Sequence, residues 1–241
     1  MIANGTTTVE IKTGYGLAPE HELRCLDVIG RLGAELPWSV EATYLGAHVV
    51  PDGRDRSEYV DEVIATVPTA AAHGARWVDV FCDDGIFTLE ETRRILQAAE
   101  AAGLGTRLHA EEIAHTGAAG LAAELGCASA DHLEHVTADG ARAMAAAGVV
   151  GVLLPTVTLS LRTFAFGQYS VLRDADATLA LSTDCNPGTS WCESMPYVVQ
   201  LACLVYGMPA RDALWSATRG GAAALRRTDI GRIDVGHRAD L

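Results

Sequence analysis

The chain has 241 residues, with 18 Lys+Arg against 31 Asp+Glu, a formal net charge of −13, and 49% hydrophobic residues. That length and apolar content suit one large domain or two small ones with a sizeable core, and argue against a disordered chain. An acidic balance without a Lys/Arg cluster argues against nucleic acid or anionic membrane as partner. No basic start leads into an apolar segment, as a signal peptide would, and no apolar run is long enough to span a bilayer.

Short β-type runs alternate with helical runs. The first strand is predicted at Thr6–Ile11, before a helix opened by Pro19 with Leu23, Leu26, Ile29 and Leu32 on one face. A second strand at Ser39–Gly46 precedes a helix capped by Ser57, with Val60, Val63, Ile64 and Val67 as its stripe. A third at Trp77–Phe81 leads to Thr88 and Glu91, at capping-box spacing ahead of Ile95 and Leu96. Strands follow at Gly105–Glu111, Ser129–Leu133, Val149–Pro155 and Thr178–Asp184. Thr137 caps an Ala-rich helix among them, and two helices close the series near Glu193–Tyr206 and Pro209–Ala217. Val149–Leu154 is continuously apolar, as suits a parallel strand covered on both faces. Six scattered cysteines without a CxxC pair read as reduced thiols of a cytoplasmic protein.

This α/β alternation fits a (β/α)8 barrel of the TIM type with a unit missing, or a doubly wound open sheet. The open sheet commonly carries a Gly-rich phosphate turn, and no GxGxxG follows a strand here. A barrel gathers functional residues at the C-terminal ends of its strands, where the polar residues of this chain collect. His109, His132 and Asp184 stand at three such ends and together make a divalent-metal set for Zn or Fe. A metal there would bring the pKa of a bound water to ~7. His48 reads equally as a loop histidine or a functional one. Tyr15 between Gly14 and Gly16 is either a simple turn residue or a hydroxyl placed over the mouth. Asn186-Pro187-Gly188-Thr189 is turn chemistry, and directly after Asp184 it is also a loop able to offer amide and backbone donors. His21, His73 and His237 read as surface residues, and His115 and His135 as structural ones.

The runs EIKTGYG, LGAH, LHAEE, SADHLEH and STDCNPGTS resemble successive strand-end motifs of the imidazolonepropionase family, within the amidohydrolase superfamily, and keep their order along essentially the whole chain. The closing Ile230–Ile233 and Gly236–Leu241 resemble the stretch that returns amidohydrolases to a small β domain. Residues 1–225 are therefore expected to form the barrel and 226–241 to begin that return. The resemblance implies a metal-dependent hydrolase that opens 4-imidazolone-5-propanoate to N-formimidoyl-L-glutamate in histidine degradation. It implies one divalent ion, Zn or Fe, with His109 and Asp184 as ligands. Asp184 also handles a proton, and His132 lies near the metal water and the scissile carbonyl. Tyr15, His48, Asn186, Gly188 and Thr189 match substrate-contacting positions, and Glu112 matches a position near the ring with a hydrogen-bonding or proton-transfer role. The partner implied is a small molecule, with neither nucleic acid nor membrane, and a homodimer is allowed.

The family's His-X-His pair of the first barrel strand occurs nowhere in this sequence, and Met1 aligns within the helix before the second strand. The chain is accordingly expected to be the C-terminal portion of a longer enzyme, without appreciable activity by itself and poorly soluble or self-associating through two unpaired strand edges. The competing readings are a non-catalytic ligand-binding or assembly module on the same scaffold, and an amidohydrolase for another cyclic amide.

Overall fold

In a computed structural model, which describes residues 1–166 and 168–240, seven strands pair in chain order and all in parallel. They are β1 (Thr8–Lys12), β2 (Ser39–Ala47), β3 (Trp77–Cys82), β4 (Gly105–Ala110), β5 (Ser129–His132), β6 (Val150–Leu153) and β7 (Leu179–Leu181). Side chains alternate across each strand. Val78 and Val80 of β3 and Leu108 and Ala110 of β4 join the core beneath the helices, while Asp79, Arg107 and His109 take the opposite face. In a flat sheet β1 and β5 would lie about 19 Å apart, four strand spacings. Lys12 on β1 nevertheless meets Asp131 on β5 at 2.6 Å. The sheet is therefore curled into the wall of an incomplete (β/α)8 barrel, with the polar face inside.

The covering helices are α1 (Pro19–Glu35), α2 (Arg56–Ala72), α3 (Leu89–Ala101), α4 (Ala118–Glu124), α5 (Ala138–Ala147), α6 (Pro155–Leu161), α7 (Gln168–Asp174), α8 (Met195–Val205), α9 (Ala210–Trp215) and α10 (Gly221–Ala224). Leu26 and Ile29 of α1, Val60, Val63 and Val67 of α2, and Ile95 and Leu96 of α3 are buried against the sheet. Thr88 and Glu91 form the expected capping box on α3, and Thr137 caps α5 through the Gly140 amide. The second helix differs at its start. Asp55, not Ser57, is its cap and accepts from the Glu58 amide, while the Ser57 hydroxyl donates to Asp55. An ionised carboxylate is the better acceptor for amides at the positive end of a helix.

The last strand is shorter than expected, since the chain leaves the sheet after Leu181. Residues 226–240 hold turns and bends without strand. Arg227 ties them to Glu41 at 2.9 Å, and Arg238 to the Ser39 hydroxyl and the Pro37 carbonyl. Leu241 lies outside the described residues. Among the described residues no helix is long and apolar enough to cross a membrane.

Candidate active site

The loops at the C-terminal strand ends are held by side chains that collect backbone amides. After β1, the Glu22 carboxylate is 1% exposed. It accepts from the amides of Gly14 and Gly16 at 2.6 Å and of Leu17 at 2.9 Å. Gly16 is needed for this approach, because a Cβ there would stand 2.8 Å from the Glu22 amide. The clamp presents Tyr15 to solvent above the barrel. Glu22→Gln should lower stability by about 2–3 kcal/mol, because an amide group cannot serve three converging donors. Urea unfolding measures that loss, and faster hydrogen exchange at Gly16 reports the freed loop.

Asp83 does the same after β4, accepting from the amides of Glu112, Ile113 and Ala114 at 2.7, 2.9 and 3.1 Å. The preceding Glu111 has φ 55° and is fully buried, with its carboxylate on the Gly117 amide and His115. That turn separates the adjacent glutamates. Glu111 serves the loop, whereas Glu112 comes within 3.6 Å of His132 Nε2.

Five rings from five strands form a band across the mouth. Tyr15 meets His48 edge-on at 5.1 Å, and His48 stacks on Phe81 at 6.0 Å. Phe81 lies 5.4 Å from His109, and His109 lies 5.3 Å from His132. His48 is fixed by donating from Nδ1 to the Gly14 carbonyl at 2.8 Å. The β7 loop completes the circle, with the Tyr15 hydroxyl 3.4 Å from Asn186 Oδ1. Asn186 is otherwise occupied in its own loop. Its Oδ1 accepts from the Gly188 and Thr189 amides, and its Nδ2 donates to the Asp184 carbonyl and carboxylate at 2.8 and 3.1 Å. Asn186, Gly188 and Thr189 thus form one hydrogen-bonded turn that orients Asp184.

Backbone strain concentrates here. His132, Leu133 and Asp184 have φ of 78°, 67° and 44°, a left-handed region costly for side chains larger than glycine. At His132 Nδ1 is buried with no hydrogen-bond partner among the described residues. Burial, with His109 and Lys12 adding, keeps the His132 imidazole neutral by lowering its pKa well below the usual value.

Burial also pushes Glu112 up to about 7, with Asp184 and Asp83 adding to the rise and His109 opposing it. It raises Asp184, opposed by His109. Glu134, two residues beyond His132, is pushed up to about 8 by burial against the Thr158 hydrogen bond, with Glu112 and Asp184 contributing. Such a carboxyl stabilises the fold fully only below its ordinary value and loses that contribution as pH climbs through the folded value. Glu134→Gln mimics the protonated acid. It should match wild type near pH 4 and exceed it by a few kcal/mol, in order of magnitude, near pH 9, as read from urea midpoints across that range.

Below the ring band, His109 is fixed by Asp79, whose Oδ1 accepts from its amide at 3.1 Å and its Nδ1 at 3.0 Å. Against the lowering effect of burial, the Asp79 carboxylate raises the His109 pKa. With Nδ1 donating to Asp79, Nε2 is the nitrogen that would exchange its proton for a metal, the arrangement usual for a metal-binding histidine. Asp79, His109 and Asp131 bring one ligand atom each within 4.8 Å of one another, a second way this chain could hold a cation. Asp184, after β7, stands outside that group, and the charge of His109 acts on it. Sequence reasoning passed over Asp79, Phe81, Glu22, Asp83 and Glu134. A lone acid inside the apolar run Trp77–Cys82 was the available signal for Asp79.

Residues 81–241 match the model of the amidohydrolase family, and the chain belongs to that family. It is 48% identical over 244 residues to an imidazolonepropionase of Salinispora arenicola, covering 100% of this chain and 60% of that protein. It is 49% identical over 232 residues to one of Halobacterium salinarum, covering 94% and 55%. The chain thus spans about 60% of the length of the curated relatives it matches. Among solved structures, a triazine hydrolase variant superposes with TM-score 0.73 at 17% identity, covering 99% of this chain and 59% of that one. N-isopropylammelide isopropylaminohydrolase of Burkholderia multivorans gives 0.72 at 19%, covering 99% and 64%. These two likenesses support the fold.

Proposed function

We propose that this chain forms the larger part of a cytoplasmic hydrolase that opens 4-imidazolone-5-propanoate to N-formimidoyl-L-glutamate. The carrying observation is the band Tyr15–His48–Phe81–His109–His132, closed by Asp184 and Asn186 at one end of the barrel. Relatives at 48% identity bearing the name imidazolonepropionase support the substrate.

The donor set fits one divalent ion, Zn or Fe. His109 would offer Nε2, because Asp79 holds Nδ1, and Asp184 a carboxylate whose raised pKa marks a place where a cation would relieve crowded acids. Bound there, the ion supplies Lewis acidity and an acidified water. Asp184 would take the proton of the attacking water and return it to the leaving ring nitrogen, as base and then acid. His132, neutral and buried, would donate to the ring carbonyl oxygen as negative charge develops on it. Glu112, poised near neutrality beside His132, would hold a ring N–H or relay a proton. Tyr15, His48 and the turn of Asn186, Gly188 and Thr189 would seat the ring and its propionate. Residues 226–241 would begin the passage to a small β domain. The partner is this small molecule, without nucleic acid or membrane, and two copies could assemble.

The test is incubation of the Zn- or Fe-loaded protein, joined to the segment that carries the family's His-X-His pair, with 4-imidazolone-5-propanoate, following loss of the ring absorbance and appearance of N-formimidoyl-L-glutamate. Ring opening is the expected result. Binding without turnover would instead make the chain a ligand-binding module, and turnover of a different cyclic amide would move the substrate.

A further inference from the structure

The barrel interior beneath the mouth holds a charged group that the proposed reaction does not use. Lys12 Nζ lies 2.5 Å from Asp79 Oδ2 and 2.6 Å from Asp131 Oδ2. The other oxygen of each carboxylate is engaged, Asp79 Oδ1 by His109 and Asp131 Oδ1 by the Ser129 hydroxyl at 2.9 Å. Both free oxygens therefore converge on one ammonium. Glu10 approaches Lys12 at 4.0 Å and Arg107 at 3.1 Å. With Glu10, Asp79 and Asp131 ionised, Lys12 and Arg107 leave this interior one negative charge in excess.

We infer that Lys12 is a built-in cation that fills a divalent-ion position made by Asp79 and Asp131, and so keeps metal away from the inner side of His109. The geometry carries this. Nζ stands 2.5 and 2.6 Å from two carboxylate oxygens, close to where a divalent ion would sit, at about 2.0–2.2 Å from each. Without Lys12 the same interior would hold two excess negative charges, which one divalent ion neutralises. A buried carboxylate pair without a cation is strongly disfavoured. A metal on these carboxylates would also have His109 within reach, the third residue of the cluster, whose Nδ1 lies 3.0 Å from Asp79 Oδ1. Binding there displaces the Nδ1 proton and competes with the outward-facing Nε2. Lys12 is thus a positioning residue. It satisfies Asp79, Asp79 holds the Nδ1 proton, and Nε2 stays toward the mouth.

The experiment is a Co2+ titration of four versions of the full chain: wild type, Lys12→Met, Asp131→Asn and the double variant. Methionine keeps the reach of the stem to Cε, with sulfur in place of Cδ, and removes the charged tip. Lys12→Met is expected to bind Co2+ at least tenfold more tightly than wild type at a new site, and Asp131→Asn to abolish that gain. In the presence of Lys12, Asp131→Asn should change Co2+ affinity less than about threefold. The inference is overturned if folded Lys12→Met gains no binding, or if its gain survives Asp131→Asn. Should Lys12→Met fail to fold, the wild-type comparison decides. A tenfold loss of Co2+ affinity on Asp131→Asn would put metal on the carboxylates assigned here to Lys12, and an unchanged affinity upholds the inference. Because the readout is metal affinity at Asp131, failure of the proposed hydrolysis leaves a different signature, loss of turnover with these affinities intact.

Discussion

Asp79→Ala should lower stability by about 3–5 kcal/mol, the range seen when one partner of a buried ion pair is removed. Asp79 is fully buried and serves Lys12, the His109 ring and the His109 amide together. Alanine would leave an ammonium, an imidazole N–H and a backbone N–H short of an acceptor, inside a barrel where water is scarce. A domain stability of about 5–15 kcal/mol makes such a loss severe. Asp79→Asn keeps the shape and one acceptor, and should cost less. The control is Asp139→Ala on α5, whose partner Arg142 is 63% exposed. Exposed pairs contribute little, and that variant should leave the urea midpoint unchanged.

His132→Ala should reduce kcat by about 10²–10⁴ while KM changes by less than about threefold, if His132 stabilises charge that appears only in the transition state. The reasons are local. His132 Nε2 faces Glu112, the ring lies against His109, and a left-handed backbone aims it inward. A turnover number close to wild type would remove His132 from the chemistry and leave it a packing residue of the band. Steady-state kinetics on the Zn-loaded protein, with circular dichroism to show that the variant folds, separates these outcomes.

The strand–helix alternation was legible because each strand packs one apolar face on helices, and that burial writes Val, Ile, Leu and Ala into every run. Cap positions were legible where the motif is local, as at Thr88 and Thr137, and missed at Asp55, where a serine two residues later offered a competing local reading. The histidines and Asp184 stood out as polar residues at strand ends. The inner face was not legible. Asp79 and Asp131 each look like an isolated charge in its own strand, and only curling of the sheet brings Lys12 within 2.6 Å of both. The clamps were hidden for the same reason. Glu22 lies in the first turn of α1, where an acid is ordinary, and its contact with the Tyr15 loop depends on the angle at which that helix returns. Which of Glu111 and Glu112 faces inward rests on one backbone angle, φ 55° at Glu111.

The cation at the centre of the barrel also bears on how the chain assembles. Lys12 and Asp131 are separated by 119 residues, so their contact closes a long loop. A partly formed sheet holding only β3, β4 and β5 would set Asp79 and Asp131 side by side with no ammonium between them. Arg107 would be the nearest compensating charge. Such a species carries a repulsive penalty that disappears only when β1 docks. Docking of β1 is therefore expected to stabilise the assembled sheet, and Lys12→Met to weaken that step.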